Sequence, residues 1–109
     1  MHLTTDEIVG AEAADELAPT IGQFPLRIIL STGEKLLGQK RYGTAEKVFK
    51  EALKKRPWSL RGLSGLGAVY NATNRPAEAA QCFARVMTYR PDLPKAAEGC
   101  GHAFSMLED

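Results

Sequence analysis

Cysteine, histidine and closely spaced glycine are the residues of this 109-residue chain that most readily suggest chemistry. Cys82 and Cys100 form no Cys-x-x-Cys pair, and no histidine stands at metal-ligand spacing from either of them. His102 lacks partners at a spacing typical of nucleophilic catalysis. We therefore predict no catalytic residues and no metal site. Both cysteines are expected to be reduced, partly buried thiols of a cytoplasmic protein.

Three closely spaced glycines, Gly62, Gly65 and Gly67, could belong to a phosphate-binding loop, which also needs a following Lys-Ser or Lys-Thr pair. The sequence lacks that pair, and the glycines lie inside a predicted helix. Small residues that let helices pack closely are the better interpretation. No cofactor is expected, and the chain is predicted not to be an enzyme.

The composition is that of one small globular domain. The chain is 44% hydrophobic and 25% charged, and its net charge of +1 favours neither nucleic-acid nor membrane-surface binding. It has no secretory signal pattern and no apolar run long enough to span a bilayer, so no membrane insertion is expected. The charge is divided unevenly. Residues 1–25 carry five acids and no Lys or Arg, whereas residues 26–109 have a net charge of +6.

The chain repeats itself at an interval of 34 residues, and this repeat predicts the fold. Identical residues pair at this offset: Gly33, Gly67 and Gly101; Ala45 and Ala79; Phe49 and Phe83; Arg56 and Arg90; Pro57 and Pro91. Each unit reads as two helices. The second helix carries an amphipathic stripe, formed in the first unit by Ala45, Val48, Phe49, Ala52 and Leu53.

Residues typical of helix ends agree with these units. Ser59 is predicted to cap a helix, with Trp58 and Leu63 forming a hydrophobic staple around the cap. Asn74 suits a left-handed residue after a helix end, and Pro76 suits the first turn of the next helix. Glycine inside a helix at a fixed repeat position indicates close approach between helices.

The second unit resembles the tetratricopeptide repeat, a helix–turn–helix family motif, through Leu66-Gly67, Tyr70, Ala79, Phe83 and Pro91. The first unit keeps the glycine, alanine, phenylalanine and proline, but has Ile29, Thr32 and Leu36 where the family prefers Trp, Leu and Tyr. The resemblance covers residues 26–107. It implies an all-α solenoid of two full repeats plus one C-terminal helix.

We divide the chain into an acidic arm at 1–25, repeats at 26–59 and 60–93, and a capping first helix of a third repeat at 94–109. The arm is predicted to be one helix followed by a linker from Pro19 to Pro25. In the last helix, Ala97, Cys100, Phe104 and Leu107 are predicted to point towards the array. Ala103 and Met106 are predicted to stay exposed, as a possible surface for self-association.

The resemblance also implies that the first helix of each unit faces a concave groove. The groove residues predicted on this basis are Arg27, Leu30, Glu34, Leu37, Arg61, Ser64, Ala68, Asn71, Lys95, Glu98 and His102. Among them, Arg27, Arg61 and Lys95 would form a basic row along one edge and suit an acidic partner. The alternative is that these three cations are ordinary solvated side chains.

We expect a protein–protein interaction module that binds a partner polypeptide in this groove, such as an adaptor or a small chaperone of a bacterial secretion or assembly system. The lysine/asparagine clamp that some family members use for chaperone tails is missing, since only Lys95 corresponds to it. A self-assembling module, associated through the arm or the last helix, is one alternative. A regulatory subunit of an enzyme carried on another chain is the other.

Overall fold

The computed structural model describes residues 18–108, and this part of the chain contains helices and no strand. A 3₁₀ helix at Ala18–Gln23 precedes five α-helices. These are α1 (Leu26–Gly38), α2 (Tyr42–Lys55), α3 (Leu60–Ala72), α4 (Pro76–Tyr89) and α5 (Pro94–Leu107). The predicted all-α solenoid is thereby confirmed.

The helices form two layers. Each α-helix packs against the next one in the chain, and α3 also contacts both α1 and α5. The first helices α1, α3 and α5 therefore lie side by side in one layer, with α2 and α4 in the other. The layers build an elongated body of 46 × 26 × 19 Å.

Two phenylalanine rings hold the layers together. The buried ring of Phe49, on α2, lies against Gly33 of its own repeat and Gly65 of the next first helix. Phe83, on α4, lies in the same way against Gly67 and Gly99. A Cβ atom on Gly67 would stand only 2.7 Å from the Phe83 ring, so these positions leave no room for a side chain. The close approach predicted at the repeat glycine is made by an aromatic ring from the second helix.

The first helices of the two full repeats, α1 and α3, end in the same left-handed turn. Asn74 has φ 61°, as predicted, and Lys40, one repeat earlier, has φ 62°. After α1, the Arg41 amide donates to the Leu36 carbonyl at 2.9 Å; after α3, Arg75 donates to Tyr70 at 2.8 Å. Each of these hydrogen bonds joins an amide to the carbonyl five residues earlier, which is typical of a Schellman motif. The motif turns the chain sharply into the second helix.

A charged cluster joins α2 to the start of α4. The Arg75 guanidinium donates to Glu78 at 2.9 and 2.7 Å and to Glu46 at 2.8 Å, and its carbon lies 4.5 Å from the centre of the Tyr70 ring. Burial opposes ionisation of Glu46, but hydrogen bonds from Lys50 and Arg75 lower its pKa overall. The cluster thus adds a polar contact between the two repeats.

The segment expected to be a linker is folded. Most of it belongs to the 3₁₀ helix Ala18–Gln23, where Ile21 is only 1% exposed and joins the core. This 3₁₀ helix packs against α2, so it covers the open end of the first repeat. The helix predicted for the acidic arm falls on residues 1–17, which lie outside the described residues.

The last helix is rotated relative to the sequence prediction. Its buried residues are Ala96, Cys100 and Ala103, whereas Ala97 is exposed, and so are Phe104 at 54% and Leu107 at 48%. Ala103, expected to be exposed, is fully buried, and Met106 is partly exposed. Ala97 and Phe104 match positions that are buried in the full units, namely Ile29 and Leu63 for Ala97, and Leu36 and Tyr70 for Phe104. In residues 18–108 no second helix follows α5, which packs only against α4 and α3.

Candidate binding groove

The side-by-side first helices form a groove made of adjoining depressions. Four depressions of about 500–660 Å³ share lining residues with their neighbours, so that they run on from one to the next across α1, α3 and α5. All eleven residues predicted to face a groove line one or more of them. The surface is continuous because α3 contacts both α1 and α5 directly.

Leu30 differs from the prediction that it would be open to a ligand. Its side chain is only 5% exposed and belongs to the hydrophobic core, although its remaining surface lines the first depression. Helical periodicity placed Leu30 outside the core stripe because it counted only the contacts within one helix pair. The adjacent α3 gives α1 a second packing partner.

The predicted basic row is interrupted in its centre. Arg61 is bound by Glu34 of the neighbouring helix, with Nη2–Oε1 and Nε–Oε2 distances of 2.5 and 3.1 Å. The hydrogen bond to Glu34 raises the pKa of Arg61. Arg27 and Lys95, at either end, are exposed and form no ion pair with another residue in the range 18–108. The three cations therefore do not act as one positive strip.

The central depression, of about 600 Å³, has a mostly apolar floor. Ser64 and Ala68 of α3 and Gly99 of α5 are small, so the edge of the Phe83 ring is reached between the helices. Lys95, Glu98 and His102 form a polar rim on α5. This combination can hold an apolar side chain below and make polar contacts with a polypeptide backbone above.

Asn71 fixes the width of this central depression. Its Nδ2 donates to the Gly99 carbonyl at 3.2 Å, which joins α3 to α5. Its Oδ1 is buried and has no hydrogen-bond partner among the described residues. Half of the side-chain amide is therefore committed to holding the helices together, and Asn71 is less available to a ligand than the sequence suggested.

The depression at the N-terminal ends of α1 and α3 was not anticipated. Trp58, predicted to be part of a staple, is 59% exposed and lines this depression with Arg27, Arg56 and Arg61. The neighbouring Ser59 caps α3 as predicted, since its Oγ accepts from the Gly62 amide at 3.1 Å. The signal that could have found the depression is an arginine and a tryptophan, Arg56 and Trp58, in the loop that leads to a groove helix.

The cysteines are buried, as predicted. Cys82 and Cys100 are each 8% exposed, and burial raises the pKa of Cys82 to about 11. Residues 18–108 contain no group of three or more His, Cys, Asp or Glu side chains that could hold a metal ion. Among the helices of the same range, none has the length and hydrophobicity needed to cross a membrane.

Comparison with known proteins agrees with the geometry. The family model described as tetratricopeptide repeat matches residues 36–99, which include much of the first repeat, the whole of the second and most of the groove. No curated protein and no solved structure gave a significant match to the chain. Tetratricopeptide repeats typically serve as non-catalytic modules for protein–protein interaction. The repeat spacing, the two-layer helix packing and the family match together show that this chain belongs to the tetratricopeptide repeat family.

Proposed function

We propose that this protein binds an extended segment of a partner polypeptide in the groove across α1, α3 and α5. The observation that carries the proposal is the central depression, where three small residues and the largely buried Phe83 form the floor beneath a polar rim. An apolar side chain of the partner would fill this depression, and Lys95 and Glu98 would contact its flanking polar groups. Such a mode buries apolar area on one side of an extended chain and leaves the other side solvated.

In this proposal the protein acts as an adaptor or a small chaperone that holds another chain, in the cytoplasm. The alternative of self-assembly has one observation in its favour, the exposed Phe104 and Leu107 on α5. Phe104 occupies the position of the buried Leu36 and Tyr70 of the full repeats, and neither Phe104 nor Leu107 lines a depression of the groove.

Site-specific photo-crosslinking in cells tests the groove. A photoreactive phenylalanine analogue replaces Ser64 in the groove or, as a control, the exposed Lys47 on α2. We expect position 64 to capture a defined partner chain and position 47 to capture none. Adding Ala68→Trp, which fills the central depression, should abolish the capture. Equal capture from both positions, or capture that survives Ala68→Trp, would contradict a groove-binding mode.

A further inference from the structure

Trp58 and its arginine neighbours form a second recognition site at one end of the groove. Trp58 is the single tryptophan of the chain, and it lies 59% exposed instead of in the core. Together with Arg27 and Arg56 it lines a depression of about 660 Å³. Tryptophan and arginine are the residues most enriched among those that dominate binding energy at protein interfaces. Their convergence in one concavity indicates a recognition site.

The charge of this depression selects for an anion. Arg27 and Arg56 are exposed, and neither pairs with an acid within residues 18–108, whereas Arg61 is already bound by Glu34. Two guanidinium groups are therefore available as donors for carboxylates, which they can bind in a two-pronged geometry. The first turn of α1, which lies in the same wall, has no side-chain cap, so its dipole adds to the positive potential.

The rest of the lining is apolar and argues against a nucleic acid or a free anion. Leu26 and Leu60 are partly buried beside Trp58, and they offer a surface for an aliphatic or aromatic side chain. Next along the groove, Glu34 and Glu98 place negative charge where a phosphate backbone would have to continue. The positive charge is thus local and matches a short acidic stretch.

We propose that the Trp58 pocket, lined by Arg27, Arg56, Trp58, Leu26 and Leu60, binds an acidic segment of a partner protein in which carboxylates flank a large apolar side chain. The carboxylates bind Arg27 and Arg56, and the apolar side chain packs on the Trp58 ring. The pocket shares Leu60 and Arg61 with the next depression of the groove, so this proposal rests on the proposed function and specifies the sequence that the partner carries at one end.

Binding is measured with the full chain and a labelled, blocked peptide, Gly-Glu-Asp-Phe-Leu-Asp-Glu-Gly, by fluorescence anisotropy at 50 mM NaCl. Arg27→Gln and Arg56→Gln should each weaken binding about threefold, as exposed charge pairs do. Trp58→Ala should weaken it about tenfold or more, as the loss of an interface anchor does. Lys47→Gln, which removes a charge on α2 outside the pocket, should have no effect. Because Trp58 is the only tryptophan, its emission should shift on binding in every variant that retains it.

The Glu34–Arg61 pair supplies a gain-of-binding test. Glu34→Gln removes a negative charge beside the pocket and releases the Arg61 guanidinium, so the same peptide should bind about two- to threefold more tightly. A loss of binding in this variant would mean that the pair itself forms the site. Thermal melting followed by circular dichroism checks that each variant, all at exposed positions, remains folded.

Several outcomes would overturn the Trp58 pocket. If Lys47→Gln and Arg56→Gln weaken peptide binding equally, the binding depends only on the general charge of the protein and not on the pocket. Equal binding of a peptide with Ala in place of Phe and Leu, or of inorganic phosphate, would show a site for an anion alone. Tenfold tighter binding after the five acids of residues 1–25 are changed to amides would assign the pocket to the chain's own acidic segment. A different outcome would separate the two proposals. If Ala68→Trp abolishes cross-linking of the partner but Arg27→Gln and Arg56→Gln do not change peptide binding, the groove proposal stands and the Trp58 pocket proposal fails.

Discussion

Replacing glycine by alanine should have opposite effects on stability at Gly67 and Gly101, which occupy the same position in successive repeats. Only Gly67 is covered by a side chain from another helix. Gly67→Ala places a methyl group 2.7 Å from the Phe83 ring, well inside the ordinary contact distance. The ring cannot retreat, since Gly99 presses on it from the other helix. At Gly101, one repeat later, no described atom outside its chain neighbours and the nearby backbone of its own helix lies within 4 Å of the place that a methyl group would occupy. Gly101→Ala therefore adds a methyl group to open space.

The magnitudes follow from two opposing terms. Alanine is favoured over glycine in a helix by about 1 kcal/mol, and overpacking of a core costs about 1–3 kcal/mol. The Phe83 ring is confined between Gly67 and Gly99, so the clash outweighs the helix term at Gly67, and we expect a net loss of up to about 2 kcal/mol. Only the favourable term acts at Gly101, so Gly101→Ala should stabilise by up to about 1 kcal/mol. For a domain of this size, the melting temperature should fall by up to roughly 10 °C in Gly67→Ala and rise by up to roughly 4 °C in Gly101→Ala.

The assay is urea unfolding followed by circular dichroism, with thermal melting as a second probe. Gly101→Ala is the matched control, since it makes the same chemical change in the same part of the repeat. The double variant Gly67→Ala/Phe83→Leu should lose less than the sum of its single changes, because the smaller side chain relieves the clash. Equal effects of Gly67→Ala and Gly101→Ala would refute the ring-on-glycine packing.

Three further predictions concern the core, the charged cluster and the last helix. Cys82 should react slowly with a thiol reagent at pH 7 in the native state and rapidly in denaturant, since burial raises its pKa to about 11; rapid native labelling would mean that α4 opens or is rotated. The pKa of Glu46 is lowered, so its ionised form stabilises the fold at neutral pH, and this contribution should be lost as the pH falls below about 4.5. Glu46→Gln should therefore flatten that part of the plot of unfolding free energy against pH. An unchanged plot would contradict the prediction. Phe104→Ala should lower the free energy of unfolding by less than about 1 kcal/mol, because the ring is half exposed. Leu36→Ala, at the equivalent buried position, should lower it by about 2–5 kcal/mol. Similar losses for the two variants in urea unfolding would show that Phe104 is covered in solution.

The sequence was sufficient for the repeated parts of the fold. Spacing of 34 residues and the amphipathic stripe around Phe49 predicted the helix pairs, because both signals come from residues close together in the chain. The Ser59 cap and the left-handed Asn74 are local as well, and both were correct.

The remaining features depend on contacts between distant segments. Ile21 is buried by packing against α2, which no pattern within the supposed linker reveals. The face of α5 was assigned by analogy with complete repeats, and the side left open by the missing second helix was placed at Ala103 and Met106 instead of at Ala97 and Phe104. The Arg61–Glu34 pair joins neighbouring first helices, and one helix pattern cannot show whether a cation already has a partner. The binding function of the groove residues stays a prediction, because it depends on contacts with a partner chain.

The shared position of each phenylalanine ring has a consequence for how the molecule unfolds. Because Phe49 and Phe83 each contact two successive first helices, no helix pair can open without disturbing its neighbour. Such nearest-neighbour coupling gives a short array cooperative unfolding, although each repeat contacts only the next. The helix α5 is coupled from one side only within the described chain, through Phe83 and the Asn71 hydrogen bond. Amide hydrogen exchange should therefore be fastest in α5 and slowest in α3, which is held by both rings.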